Sequence, residues 1–331
     1  MGLSIGVVGA TGAVGRKMLE ILKERNVAID KLRVFASART AGEKLDFNGQ
    51  EVTVELLTED VMKDQFDYLL FSAGGSVSEK YAPIAAEAGN IVIDNSSQWR
   101  MTEGVPLIVP EVNAHVLKGY QGIIANPNCS TIQMMVALAP LHRQYGIKKI
   151  VVSTYQAVSG SGHKAIVELA EQIKDEAYPS NVYPKRIAAN CIPHIDVFNE
   201  NGFTKEELKM VFETQKILED NTIEVNATTV RIPVYYGHSE SIYLELKEAP
   251  GIEEVKALLE EAPGVVVMDN PENNHYPTPL EVADTDDTYV GRIRKDLYNP
   301  NALSLWVVAD NLRKGAATNA VQIIEAIESM K

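Results

Sequence analysis

Only two cysteines, Cys129 and Cys191, occur among 331 residues. They supply neither a disulfide framework nor a metal-ligand spacing, which fits a reducing cytoplasm and a protein without a metal. Basic residues are also short: 31 Lys and Arg stand against 45 Asp and Glu, a net charge of −14. Such a balance argues against nucleic acid or an anionic membrane surface as a partner, and any anionic ligand would need a local gathering of positive charge. No apolar stretch approaches the roughly 20 residues that span a bilayer. Met1 runs into a strand-like segment without the basic, apolar, small-residue order of a signal peptide. Repeats and low-complexity tracts are missing too. What is present has the composition of a soluble globular enzyme, too long for one hydrophobic core, so two domains of roughly 150 residues are expected.

The chain is organised around Ala125-Asn126-Pro127-Asn128-Cys129-Ser130-Thr131. Gly122 to Ala125 reads as a short buried strand, Pro127 stops it, and Ile132 to Leu141 carries helical spacing. Cys129 therefore falls where a strand ends and a helix begins. Unpaired N–H groups and the helix dipole at that point favour a thiolate, the nucleophilic form. Read by itself the residue is either a nucleophile or a small buried hydrophobe. Its four polar neighbours speak for the first.

Near the start, the apolar run Leu3 to Val8 ends in Gly9-Ala10-Thr11-Gly12-Ala13-Val14-Gly15, after which Val14, Met18, Ile21 and Leu22 recur at helical spacing. Strand, glycine turn and helix in this order suit a dinucleotide pyrophosphate, whose phosphates approach bare backbone N–H groups and the helix N-terminus. A tight structural turn is the alternative. The second strand, Lys31 to Ala36, ends without the Asp or Glu that an NAD-specific protein presents to the ribose 2′-hydroxyl. Ser37, Arg39 and Thr40 stand there instead, a guanidinium and two hydroxyls suited to a 2′-phosphate, which favours NADP.

β-α alternation continues through Tyr68–Phe71, with Ser72 and Gly74 after it, and through Ile91–Ile93, with a polar loop to Arg100. It argues for a parallel sheet with helices on both faces and ligands at the carboxyl ends of its strands. Arg100 is either an anion ligand or a surface group packed on Trp99. Beyond Cys129 the pattern changes to an α+β one. Lys149 to Tyr155 is strand-like and leads into a glycine- and serine-rich loop at Gln156–Gly162; Pro179–Pro193 reads as an extended excursion in which Cys191 is a packed thiol. Thr204 and Glu207 form a capping box ahead of a helix to about Glu219, with Glu206 and Lys209 on one face, by default a solvated pair. Thr228 to Val234 is β-like and Ile242 to Leu246 resumes that character, with Gly237 as the expected bulge or turn that resets the facing of Arg231 and His238. A helix at Glu253–Glu261, strands near 265–268, 289–294 and 302–308, and a last amphipathic helix complete the reading.

Taken jointly, Gly9-Ala-Thr-Gly-Ala-Val-Gly15, Asn126-Pro-Asn-Cys-Ser-Thr131, Thr154-Tyr-Gln-Ala-Val-Ser-Gly160, Glu206-Glu-Leu-Lys209, Arg231-Ile-Pro-Val-Tyr-Tyr-Gly-His238 and Asp310-Asn-Leu-Arg-Lys-Gly315 resemble the aspartate-β-semialdehyde dehydrogenases over essentially the whole length. The resemblance implies an α/β fold: a Rossmann-type doubly wound parallel sheet over 1–128 plus 312–331 and an α+β catalytic and dimerisation domain over 129–311, the architecture of glyceraldehyde-3-phosphate dehydrogenase. It implies NADPH-dependent conversion of L-4-aspartyl phosphate to aspartate semialdehyde and phosphate through a cysteine thioester, in the biosynthesis of lysine, threonine, methionine and isoleucine. By the same analogy Cys129 is the nucleophile, His238 the general acid/base and Gln156 the residue that orients the acyl group. Arg231 would clamp the substrate carboxylate, Arg100 and Lys209 the phosphate, with Glu206 near the amino group and Asn128 in the substrate site. Gly9, Thr11, Gly12, Ala13, Val14, Ser37, Arg39, Thr40, Ser72, Gly74, Ser159, Gly160 and Asn311 would hold NADP. A homodimer or dimer of dimers is expected. Three rivals stay open on sequence: a reductase of another acyl phosphate or acyl-CoA, a thiol hydrolase using Cys129 and His238, and a nucleotide-sensing protein without catalysis.

Overall fold

In the computed structural model, which describes residues 2–331, the first strand, β1 (Leu3–Val8), sends Ile5 and Val7 into one hydrophobic core and Val8 into another. A strand buried on both faces must divide its side chains in this way. After it come α1 (Ala13–Glu24), β2 (Ile29–Ala36), β3 (Lys44–Phe47), β4 (Gln50–Leu56), β5 (Tyr68–Phe71), α2 (Gly75–Glu87), β6 (Ile91–Asp94), α3 (Pro110–Asn113) and β7 (Ile123–Ala125). The strands form one sheet in the order β3-β4-β2-β1-β5-β6-β7, parallel except for β3 with β4. Val7 and Leu70 share a core with Met18 and Leu22 of α1, while Val8, Leu69 and Phe71 pack with Ala82 and Ala85 of α2. This is the doubly wound sheet expected. The edge hairpin β3–β4 was overlooked, although Leu45, Phe47, Val52 and Val54 alternate with polar residues on either side of an Asn48-Gly49 turn whose two residues have φ +56° and +76°.

Chain contacts divide the molecule into Met1–Pro127 with Ala316–Lys331 and, separately, Asn128–Gly315. The second unit holds α4 (Cys129–Tyr145), β8 (Ile147–Gln156), α5 (His163–Lys174), α6 (Lys205–Ile217), β9 (Glu224–Arg231), β10 (His238–Leu246), α7 (Ile252–Glu260), β11 (Val265–Val267), α8 (Pro279–Val282), β12 (Thr288–Lys295) and β13 (Ala302–Ala309). Its mixed sheet runs β11-β12-β13-β10-β8-β9. The final helix, α9 (Thr318–Ser329), returns to the first unit, where Ala320, Ile323 and Ile324 join the core of β1 and α1.

Two expectations need correction. Arg231 and His238 do not belong to one strand interrupted at Gly237: β9 ends at Arg231, β10 starts at His238, and the two strands lie on opposite sides of β8. Gly237, with φ +86°, is the turn of the two expected alternatives, in the crossing between them. Cys191 is exposed, not packed. The excursion around it is anchored elsewhere: Glu168 of α5 accepts the N–H groups of Asn181 and Val182, both at 2.6 Å, and Gln172 accepts those of Ile187 and Ala188.

The glycine turn of the first unit leaves no room for a Cβ at Gly9 or Gly15. A Cβ at Gly15 would overlap the Gly9 carbonyl oxygen and stand 2.8 Å from Cα of Ala10; Gly9 has φ +81° and would meet the Ser72 carbonyl oxygen at 2.8 Å. Gly15→Ala should therefore destabilise the protein by about 1–3 kcal/mol, the scale of overpacking, measured by urea unfolding; an unchanged midpoint would contradict this packing.

Candidate active site

Strand register assembles the site in the second unit. Gln156 is the register partner of Arg231, Tyr155 that of Ser239, and His238 that of Ala309. Partners across a ladder share a face, so Arg231, Gln156 and His238 stand abreast at the ends of β9, β8 and β10. The next row on this face is Thr229, Thr154, Glu240 and Val307, and the one after it is Ala227, Val152, Ile242 and Leu305. All are buried. The face thus grades from a charged edge to an apolar core within four residues of each strand.

Helix α4 carries the nucleophile to this edge. Asn128 is its N-cap: Oδ1 accepts the N–H groups of Ser130 at 3.0 Å and Thr131 at 3.3 Å, which sets Cys129 at the first helical position, where the dipole favours negative charge. The cap is itself held by two carboxylates of α6. The Asn128 backbone N–H donates to Glu213 at 2.6 Å, and its Nδ2 to Glu206 Oε1 at 2.9 Å. One turn beyond Cys129, the Gln133 amide donates to the His238 carbonyl oxygen at 3.3 Å, so the Cys129 turn lies over the start of β10. Gly315 closes against the other side; a Cβ there would stand 2.9 Å from Cβ of Cys129.

Glu206 joins these parts. Besides Asn128 it accepts from Gln156 Nε2 at 3.3 Å and pairs with Lys209 at 3.0 Å, while Lys209 also reaches Asp196 at 2.8 Å. Both halves of the Thr204–Glu207 capping box form and fix the first turn of α6. Glu206 is only 6% exposed, so the pair is not the solvated surface pair that sequence alone suggests. Burial by itself would raise the Glu206 carboxyl, but the Lys209 charge and the Asn128 and Gln156 amides outweigh it and hold it below the usual range. Burial likewise opposes the Lys209 charge, and Glu206 and Asp196 reverse that.

Arg231 donates from Nη1 to the Ala157 carbonyl at 2.5 Å and lies over the Tyr183 ring, 5.8 Å from its centroid. His238 is fully buried, with Nδ1 accepting the Ala157 N–H at 3.1 Å. Burial first, and then the Arg231 charge, push its pKa well below the ordinary histidine value. Gly160 lies against both: a Cβ would stand 3.1 Å from Arg231 Nη1 and 3.3 Å from His238 Nε2. Ser159 is tied to Asn311, whose Oδ1 accepts the Gly237 N–H at 3.0 Å.

The remaining expected residues sit in the first unit. Gly9 and Thr11 lie in the turn, Gly12 is the N-cap of α1, and Ala13 and Val14 begin that helix. The Thr11 and Thr40 hydroxyls are 3.1 Å apart, and Ser37 and Arg39 are exposed just past β2. Ser72 donates to the Gly9 carbonyl at 3.2 Å, and Gly74 caps α2. Arg100 is buried, donating to the carbonyls of Asn126 at 2.9 Å and Asn95 at 3.1 Å, and so is not a surface group resting on Trp99.

A curated aspartate-semialdehyde dehydrogenase of Aquifex aeolicus is 54% identical to this chain over 99% of it and 98% of the relative. The chain belongs to the aspartate-semialdehyde dehydrogenase family. Residues 4–120 match the semialdehyde dehydrogenase NAD binding domain and residues 138–314 the semialdehyde dehydrogenase dimerisation domain. Among solved structures, aspartate semialdehyde dehydrogenase II of Vibrio cholerae, complexed with ASA, superposes with a TM-score of 0.96 at 47% identity, covering 99% of each chain. The Candida albicans aspartate semialdehyde dehydrogenase with NADP gives 0.78 at 26% identity over 100% of this chain and 99% of that one.

Within this dehydrogenase framework, sequence reasoning overlooked Gln133, Glu213, Glu240 and Gly315. Gln133 is four residues from Cys129 and Glu240 two from His238, so helical and strand periods could have found both. Glu213, seven residues after Glu206, falls on the same face of α6 and carries a signal of the same kind, whereas Gly315 carries none.

Because the folded Glu206 carboxyl titrates below its ordinary value of 4.5, its contribution to stability is complete above that pH and is lost as pH falls through the lower, folded value. Glu206→Gln should cost about 2 kcal/mol at neutral pH, the scale of charge-assisted hydrogen bonds. Urea unfolding should show the gap between wild type and variant shrinking only below pH 4.5; a gap independent of pH would exclude an ionised Glu206.

Proposed function

We propose that this protein is an NADP-dependent aspartate-semialdehyde dehydrogenase that converts L-4-aspartyl phosphate to L-aspartate 4-semialdehyde and phosphate through a thioester on Cys129. The observation that carries the reading is the gathering of Cys129, Gln156, Glu206, Lys209, Arg231 and His238 around one sheet edge. That set matches one substrate's parts: a guanidinium for a carboxylate, a carboxylate for an ammonium, a lysine for a phosphate.

The first unit suits a dinucleotide. The close approach of Gly15 to Gly9 strips the turn of side chains at the N-terminus of α1, and the absence of an acid after β2, with Arg39 and Thr40 in its place, suits a 2′-phosphate. Gly9, Thr11, Gly12, Ala13, Val14, Ser37, Arg39, Thr40, Ser72 and Gly74 would hold it, with Ser159, Gly160 and Asn311 of the second unit as further expected ligands. When bound, reduced nicotinamide supplies the hydride that becomes the aldehyde hydrogen.

The protein's own residues then divide the work. Cys129 attacks the acyl carbon as thiolate, forming a C–S bond as the C–O bond to phosphate breaks. Gln156, fixed by Glu206 and Thr154, orients the acyl group, and His238 serves the acyl oxygen. Arg231, Glu206 and Lys209 hold the carboxylate, amino group and phosphate, with Arg100 as a second phosphate ligand and Asn128 lining the substrate site. A reducing cytoplasm would keep Cys129 in its reactive form. The outward sheet face, where Val151 is 38% exposed and the Tyr155 and Trp306 rings lie 5.3 Å apart, supports a homodimer, alone or paired into a dimer of dimers.

Reduction of NADP with aspartate semialdehyde should require phosphate. Cys129→Ser should lower that turnover at least about a thousandfold, as loss of a covalent nucleophile does. Arg39→Leu should raise KM for NADPH about ten- to a hundredfold, from one lost charge-assisted contact, and leave NADH nearly unaffected. Turnover without phosphate would overturn the reaction, and an undiminished Cys129→Ser the mechanism.

A further inference from the structure

The two ring nitrogens of His238 meet different surroundings. Nδ1 accepts the backbone N–H of Ala157 at 3.1 Å, and Ala157 is fully buried. An N–H can only donate, so Nδ1 must present its lone pair, and the single proton of a neutral imidazole then resides on Nε2. Turning the ring over would set a C–H against the Ala157 N–H and leave a buried donor without an acceptor, so the same bond fixes the orientation. Among the described residues Nε2 has no hydrogen-bond partner, and it lies on the Gly160 side, where a Cβ would stand 3.3 Å from it and 3.1 Å from Arg231 Nη1.

A histidinium would need a second proton at Nδ1, driven against the Ala157 hydrogen. The groups around the ring oppose it as well. Arg231 on β9 is a cation; Gln156 on β8 and Gln133 on α4 are uncharged. Glu240, two residues further along β10 on the same face, could have drawn a positive charge, but burial, opposed only by the Gln133 amide, pushes it well up, toward the neutral acid. Only Cys129 could act as an anionic partner.

Resting on the reaction proposed above, we propose that His238 works throughout as a neutral Nε2–H donor to the acyl oxygen, held in that tautomer by the Ala157 N–H, and that the N-terminus of α4 rather than a histidinium sustains the Cys129 thiolate. The stoichiometry is consistent with this. Acylation forms the C–S bond and breaks the C–O bond to phosphate; reduction of the thioester carbon returns the sulfur as thiolate. The one proton taken up overall ends on the departing phosphate. Neither half-reaction needs a base at sulfur.

Two measurements on the whole enzyme, each with a readout besides turnover, test this. In protein labelled with 15N-histidine, long-range couplings from the ring carbons should identify His238 in the wild type as protonated at Nε2 only, and unchanged as pH falls through the ordinary histidine range. The signals should vanish in His238→Asn. Two protonated nitrogens at neutral pH, or a proton on Nδ1, would overturn the proposal. In a Cys191→Ser background, iodoacetamide alkylation of Cys129 should keep the same dependence on pH when His238→Asn is added, with rates within about twofold, while turnover falls roughly a hundred- to a thousandfold, as for a lost oxyanion donor. An alkylation inflection moved upward by a unit or more would mean that a histidinium had been holding the thiolate. Wild-type enzyme without phosphate-dependent turnover would instead sink the proposed reaction and leave both of these readouts interpretable.

Discussion

The ladder joining β9, β8 and β10 is the constraint on which the second unit's chemistry depends. A slip of one residue between any two of these strands would turn a whole strand to its other face, and Arg231, Gln156 and His238 would no longer stand abreast. The apolar row of Ala227, Val152, Ile242 and Leu305 prevents it, because the same slip would expose that row to water. Hydrophobic burial deep in the sheet thus sets the position of charged groups at its edge. Helices α4 and α6 then need only short hydrogen bonds, from Asn128 to Glu206 and Glu213, to bring Cys129 to that edge.

Two buried glutamates show how this acidic protein divides its carboxylates. Glu206 has Lys209 and two carboxamides directed at it and is held in the charged form; burial pushes Glu240 toward the neutral one, opposed only by the Gln133 amide. Burial is nearly the same for both, so the Lys209 charge, with the amides beside it, decides the sign. The first can meet a cationic group, and the second leaves His238 beside a single cation, Arg231.

Much of this was legible in the residues. Pro127-Asn128-Cys129 announced a strand-to-helix junction because Pro127 ends an apolar run and Ile132 to Leu141 carry helical spacing, and Thr204–Glu207 announced α6 because a capping box is a local device. The doubly wound first unit followed from β-α alternation. Pairing between strands did not follow: a period of two tells which face a side chain takes and not which strand lies beside it, so Arg231 and His238 read as one broken strand when β8 separates them. The i,i+3 spacing of Glu206 and Lys209 likewise fixed a shared helix face, and only tertiary packing could show that this face is buried. Cys191 was misread because its loop is held by Glu168 and Gln172 from another element, which leaves the thiol outside. The roles assigned to Gln156, Arg231 and Lys209 came from the family resemblance and not from periodicity.

The central claim is that one sulfur carries the acyl group between two half-reactions, and release of phosphate in the absence of any nicotinamide tests it most directly. Mixed with aspartyl phosphate alone, the wild type should release one phosphate per chain in a rapid burst and then stop, with a hydroxylamine-sensitive aspartyl adduct on the peptide bearing Cys129. Continuous release without a burst, or an adduct on any other residue, would contradict it.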